Sequence, residues 1–391
     1  MASVIVAGAT GAIGRTVIQH AIRQPSIQRV VALTRAANVT EANYEQLFGV
    51  VTRLKAAENG NETRSGNFAD HVMVTPQEAA KIQPITMDWE AFTTYWTTAN
   101  AATPAAPVAA ADPYNKYKEI FSGHTYAAMC LGTTRKDAGS AKQFIRCDYD
   151  YVIAFTEAVL KFSAPAGMGP ETAFTRRIAD GGAKRKDAVA AQAQAAAPPS
   201  PVPISADTTG TLRTFCQISA SGSRSDSWFL YMRTKGSADE ATVERIHHHN
   251  RQAAATAGDV EPIVLFLLRP GLLDRHGKSR MGESIARLFI SSIPVETCGA
   301  AVVSAFVEPK IRQAILASAS QPGATPAKGQ GKTCKGESTA LLGSPFEATE
   351  AMKRAGVQSA EQCVYAYELS NANIKRLAAR LSESKPAAEA P

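Results

Sequence analysis

The chain has 391 residues, room for one large domain or two ordinary ones, and its 45% hydrophobic content supplies enough apolar side chains for a sizeable core. Its formal charge of +7 is scattered, and the densest basic run, Lys184-Arg185-Lys186, has no interleaved aromatics, which argues against nucleic acid as a partner. No apolar run approaches the roughly 18 residues of a transmembrane segment, and the six cysteines form no Cys-x-x-Cys pair, the pattern of free thiols in a reducing compartment.

Residues 3–7 read as a buried strand ending at Gly8, and because it begins at Ser3 no cleavable leader is expected. Ile13, Val17, Ile18, Ala21 and Ile22 recur at helical spacing over 12–24, and 29–34 is a second apolar strand. This β-α-β run of about 35 residues has the size of a Rossmann half-unit. Further strands are predicted at 83–87, 125–131, 213–219 and 262–268, with helices over about 140–162 and 229–257. Strands alternating with helices imply an α/β fold, a doubly wound parallel sheet covered on both faces.

Residues 1–310 are expected to form this single NAD(P)-binding core, lengthened by inserts at about 37–82, 98–115 and 163–211. Residues 311–391 are expected to be a C-terminal extension carrying a further insert at 318–338 and a terminal helix at about 370–383. The tracts 187–206 and 318–338 are too poor in large apolar side chains to offset the entropy of ordering, so they are expected to be dispensable for folding.

The first chemical signal is Gly8-Ala9-Thr10-Gly11-Ala12-Ile13-Gly14, between a strand and a helix. Gly8 suits the tight turn, Gly11 the approach to a pyrophosphate and Gly14 close helix packing, while the helix N-terminus offers its N–H groups to phosphate. The second signal is that the first 40 residues contain no acid, whereas an NAD site usually carries one about 20 residues after the glycines. Arg35 stands at the end of the second strand, with Arg15 after Gly14, and a guanidinium there suits a 2′-phosphate. NADPH is the expected cofactor, in preference to NADH. The third signal is Tyr231 and Lys235, at i and i+4 on one helix face, with Ser219 at a strand end twelve residues before Tyr231. A neighbouring ammonium favours phenolate, which makes a tyrosine a usable acid for a carbonyl oxygen, and a serine hydroxyl can bond the same oxygen.

This layout resembles the short-chain dehydrogenase/reductase superfamily, and more closely its atypical branch typified by the HIV Tat-interacting oxidoreductases and their fungal mitochondrial relatives. The resemblance rests on Gly8 to Gly14, on Cys130-Leu131-Gly132-Thr133-Thr134-Arg135, on Phe144 to Val152, on Phe229 to Gly236, and on Arg269-Pro270-Gly271-Leu272-Leu273. It implies that Ser219, Tyr231 and Lys235 are the catalytic triad and that Lys235 also holds the nicotinamide ribose. It implies further that Leu131, Gly132 and Thr133 pass along the cofactor, and that Pro270, Gly271 and Leu272 flank the nicotinamide. Where many members of the superfamily place a catalytic asparagine, this chain offers Asp148. A cytoplasmic location is expected, with a mitochondrial surface as the alternative through the fungal relatives.

No metal site is expected, because adjacent residues on a helix, such as His247-His248-His249, point in different directions. Trp89 and Trp96, seven apart at helical spacing, are expected to anchor either the core or an insert. Asp274, Arg275, His276 and Arg280 would give the segment after Pro270 a polar character suited to a polar or anionic compound. The expected activity is NADPH-dependent reduction of a small-molecule carbonyl, or oxidation of the alcohol. The rival expectation is a cofactor-bound regulatory or assembly protein that acts on a protein partner, which the large alanine-rich inserts favour.

Overall fold

The computed structural model describes residues 2–52, 71–101, 112–164, 212–257, 260–275, 291–319, 344–347, 352 and 365–383. Twelve strands appear among them: β1 (Ala2–Ala7), β2 (Ile27–Thr34), β3 (Val50–Thr52), β4 (Val72–Val74), β5 (Ile82–Thr86), β6 (Tyr126–Met129), β7 (Thr214–Ile218), β8 (Val264–Leu268), β9 (Leu272–Asp274), β10 (Ser292–Pro294), β11 (Ser344–Pro345) and β12 (Ala366–Leu369). Eight form one sheet in the order β11-β12-β8-β7-β6-β1-β2-β5, and every pairing but β11 with β12 is parallel. The chain therefore winds outward from β1 in one direction and from β6 in the other. In such a Rossmann sheet the ligand crevice opens at the carboxyl ends of the two strands where the winding reverses.

Neighbouring side chains on each strand point to opposite faces, and both faces are covered. Val4 and Val6 pack with α1 (Ala12–Ala21), α6 (Val295–Val307) and α7 (Asn371–Glu383). Ile5 and Ala7 pack on the other side with α2 (Trp89–Ala101), α3 (Asp112–Phe121), α4 (Tyr151–Ser163) and α5 (Leu230–Ala257). Two buried faces explain why these strands read as continuous apolar runs. Trp89 and Trp96 are both buried in the second layer.

Three features depart from the expected layout. First, within the stretch taken as an insert at 37–82, the described residues include β3 and β4, which pair with each other in parallel, and Phe48, Val50 and Val74 join the core beside α1. Gln19 on α1 fastens this piece by donating to the Phe48 carbonyl at 2.9 Å. Second, the helix expected over 140–162 is interrupted by a π-type turn at Arg146–Asp150, between Ala141–Ile145 and α4. Third, the C-terminal segment is not peripheral to the core. β12 pairs with β8, Ala366 opposite Leu265 through Leu369 opposite Leu268, and Ile374, Leu377 and Leu381 of α7 are buried in the layer that holds α6. Burying such a side chain contributes about 1.5–3 kcal/mol, so the core boundary placed at 310 has to move beyond it. The tract 187–206, residues 320–338, and the substrate-segment positions His276 and Arg280 lie outside the described residues.

The four described cysteines, Cys130, Cys147, Cys216 and Cys298, are free thiols. Burial pushes Cys130 and Cys298 up to about 12, which leaves them inert as nucleophiles.

A buried polar clip closes the far end of the sheet. His124 is fully buried before β6; its Nδ1 meets the Ser3 hydroxyl at 3.1 Å and its Nε2 the Ile120 carbonyl at 2.8 Å, while Arg29 donates to Ser3 at 2.9 Å. Nε2 must be the protonated nitrogen to satisfy that carbonyl, so Nδ1 accepts. Burial lowers the histidine from its ordinary 6.5 to about 4. The unfolded chain takes up this proton first as pH falls, so the stability is present above about 6.5 and is lost between 6.5 and 4, roughly 3 kcal/mol in all. Urea midpoints measured on either side of that window should fall with acid, and His124→Gln should flatten the slope. An equally steep slope in the variant would show that other groups carry it.

Candidate functional site

The crevice at the reversal point begins with the turn after β1. Gly8 has φ +75, and a Cβ there would lie 2.8 Å from the Cys130 carbonyl carbon and oxygen and from the Leu131 nitrogen. At Gly14 a Cβ would come within 2.1 Å of the Gly8 carbonyl oxygen, so α1 can cross this close only at glycine. Thr10 and Gly11 are exposed at the turn's tip. No side chain caps α1, and its first turn carries no acid, so the N–H groups of Ala12, Ile13 and Gly14 have no competing anion from the helix itself. This turn and bare helix end fit a dinucleotide's pyrophosphate. Ile13 is buried in the core and can offer only its N–H; Arg15 is half-buried on α1; Arg35 is exposed one residue past β2.

The strand next to β1 carries the crevice onward. Leu131, Gly132 and Thr133 follow β6, and a Cβ on Gly132 would lie 3.3 Å from Lys235 Nζ. Lys235 is buried, and its ammonium pairs with the fully buried Asp148 at 2.9 Å. The other Asp148 oxygen accepts from the Thr133 N–H at 2.9 Å. Burial works to strip the lysine of its proton, but the Asp148 carboxylate, with Tyr231 and Asp239, more than offsets this and holds Lys235 above its ordinary pKa. Tyr231, one turn earlier on α5, is 38% exposed, with its ring stacked on Phe144 at 5.7 Å between centroids.

Ser219 directly follows β7 and is buried. Its hydroxyl donates to Asp239 Oδ2 at 2.7 Å and lies 3.3 Å from the Ser223 hydroxyl. Asp239 is fully buried and also meets Gln217 at 2.8 Å and the Arg269 guanidinium at 2.9 Å. Arg269 in turn pairs with Glu368 on β12 at 2.8 Å. As arranged, the Ser219 proton is committed to Asp239, and the hydroxyl would have to release Asp239 to donate to a carbonyl. Burial raises the pKa of Asp239 against the opposing pull of Arg269, Ser219 and Gln217. Tyr231, Lys235 and Asp239 recur every four residues on one face of α5, a signal present in the sequence but passed over there.

Beyond β8, Pro270 is buried, Gly271 donates its N–H to Asn371 Oδ1 at 2.9 Å, and Leu272 belongs to the β9–β10 ribbon. A cavity of about 460 Å³ opens there, lined by Arg269, Gly271, Glu368 and Asn371 among others. The structure thus gathers the glycine turn, the 131–133 segment, Lys235 and Asp148 along adjoining strand ends, with Ser219 and Pro270 on the next two strands.

The chain resembles Protein HTATIP2 of Rattus norvegicus. The two are 29% identical over 182 residues, a stretch that covers 46% of this chain and 48% of the rat protein, so the match spans about half the length of each. No family model matches the chain. Similar solved structures include UDP-glucuronic acid 4-epimerase from Bacillus cereus in complex with NAD, 11% identical, covering 78% of this chain and 72% of that one with a TM-score of 0.38. A putative NAD-dependent epimerase/dehydratase from Bacillus halodurans is also 11% identical, covering 79% and 89% with the same score of 0.38. Among the described residues no helix is long and apolar enough to cross a membrane, and no three His, Cys, Asp or Glu side chains are grouped to hold a metal ion.

Proposed function

We propose that this chain is an NADPH-dependent oxidoreductase that reduces a small-molecule carbonyl compound or oxidises the corresponding alcohol. The observation that carries the reading is Lys235: a buried lysine, 2.9 Å from the Asp148 carboxylate and against the 131–133 segment, one helical turn from a partly exposed tyrosine. Bound at the glycine turn, the nicotinamide cofactor would supply the hydride. Thr10, Gly11 and the α1 N-terminus would hold the pyrophosphate, and Lys235 the ribose. Tyr231 would pass its phenolic proton to the carbonyl oxygen, and Lys235 would steady the phenolate left behind. Ser219 would accept a hydrogen bond from the product alcohol while Asp239 holds it in place. The test is consumption of NADPH over a panel of aldehydes, ketones and quinones.

Cofactor choice rests on Arg35, an exposed guanidinium past β2 where an acid would repel a 2′-phosphate. A charge-assisted contact of about 1.5–3 kcal/mol corresponds to roughly ten- to a hundredfold tighter binding of NADPH than of NADH. Arg35→Asp should reverse the order, as read by fluorescence titration of both cofactors. Equal affinities in the wild-type chain, or an unchanged order in the variant, would remove Arg35 from the site.

The second reading, a cofactor-bound regulatory or assembly protein, draws on the rim of the crevice. Trp228 is 96% exposed and Phe229 77% exposed just before Tyr231, an apolar pair suited to a protein partner. Tight NADPH binding with no turnover on any carbonyl of the panel would favour it.

A further inference from the structure

We propose that Asp148 is a positioning residue that keeps Lys235 charged and aimed at the 131–133 segment, so that the lysine can grip the cofactor ribose across the neutral and mildly alkaline range. The inference rests on the proposed reading of Lys235 as a cofactor-holding residue. Its geometric basis is that both oxygens of Asp148 are committed at 2.9 Å, Oδ1 to the Lys235 ammonium and Oδ2 to the Thr133 N–H. One carboxylate therefore ties the lysine to the same backbone that lines the crevice. The side chains are 6% and 0% exposed, so water cannot replace either partner. The π-type turn at Arg146–Asp150 presents this carboxylate, and it is the one irregularity in an otherwise helical stretch. Such turns occur often at functional sites.

Among the described residues, the charged and titratable groups facing Lys235 are few. Tyr231 and Asp239 share its helix, Asp148 comes from the π-type turn, and the Cys130 thiol lies at the end of β6. Asp239 is already engaged by Arg269, Ser219 and Gln217, and the Cys130 thiol carries no charge at neutral pH. Asp148 is therefore the counter-charge in direct contact with the ammonium. An uncompensated buried ammonium surrenders its proton several pH units below its ordinary value. Asparagine at 148 would keep the shape and the bond from Thr133 but remove that counter-charge.

The experiment is fluorescence titration of the full chain with NADPH from about pH 7 to about pH 10, the range just below the ordinary lysine value. Wild type, Asp148→Asn, Asp148→Glu and Lys235→Met are compared, with circular dichroism melts as the check on folding. Wild-type affinity should stay level across the range. In Asp148→Asn it should be weaker, either already at the start of the range where the lysine has lost its proton by then, or falling by up to about tenfold per pH unit where the loss lies within the range, and Asp148→Glu should restore much of the wild-type profile. An Asp148→Asn affinity equal to wild type across the whole range, with Lys235→Met weakened, overturns the inference alone. Lys235→Met binding as tightly as wild type at every pH overturns the reading of Lys235 and this inference with it. If Asp148→Asn does not fold, adding Lys235→Met should restore folding by removing the unpaired ammonium; a double variant no better than the single one overturns the proposal.

Discussion

Tyr231→Phe is expected to lower turnover by about 10²–10⁴-fold, the usual contribution of a general acid or base, while NADPH affinity and thermal stability stay close to wild type. The substitution removes one hydroxyl from a ring that is 38% exposed and stacked on Phe144, so the packing partner is kept. The buried lysine one turn later keeps its ion pair with Asp148, so the cofactor side of the crevice is unaltered. Steady-state kinetics on any carbonyl compound that wild type reduces would check this. Equal turnover in the two proteins would mean that the proton comes from elsewhere, and Tyr231 would lose its assigned role.

The largest loss of stability is expected from Arg269→Met. Asp239 is fully buried, and the guanidinium is its cationic partner at 2.9 Å. Removing one member of a buried pair costs about 3–5 kcal/mol, because the other charge is left uncompensated. Two hydrogen bonds to Asp239 survive the change, from Ser219 and Gln217, which places the expectation toward the lower end of that range. The loss should shrink in acid, where the stranded carboxylate takes up a proton. Glu368→Gln breaks the partly exposed outer pair with the same arginine and should cost about 1 kcal/mol or less. Urea denaturation of the cofactor-free proteins measures all three effects. An Arg269→Met variant as stable as Glu368→Gln would show that Arg269 is not what compensates the buried Asp239.

Most of the parallel sheet was legible because its strands are buried on both faces and so stand out as short apolar runs between helices. β1, β2, β7 and β8 each lie within two residues of the expected spans. The strands that escaped notice are those whose burial comes from distant partners. β12 reads Ala-Tyr-Glu-Leu, with a charged residue in a run of four, and it becomes a strand because β8 offers it a free edge. β3 and β4 have three residues each and depend on α1 for their cover. The π-type turn at 146–150 left no mark in the apolar pattern, because a single widened turn shifts the helical phase without breaking it.

Within the site, local chemistry announced itself and pairing did not. Glycines at 8, 11 and 14 are demanded by contacts inside one strand-turn-helix unit, so sequence spacing suffices to recognise them. The absence of acid before residue 41 and the Tyr231–Lys235 spacing are likewise one-dimensional facts. Lys235 meeting Asp148, 87 positions earlier, and Arg269 meeting Glu368, 99 positions later, depend on how strands from separate parts of the chain are ordered in the sheet. The sequence by itself determined the fold class and the residue types at the crevice, because apolar periodicity and tight-turn sterics act over a few residues. Only the tertiary structure decided which charges are compensated and where the serine's proton points, because buried charges are settled by whichever partner the fold brings within about 3 Å, whatever the distance along the chain.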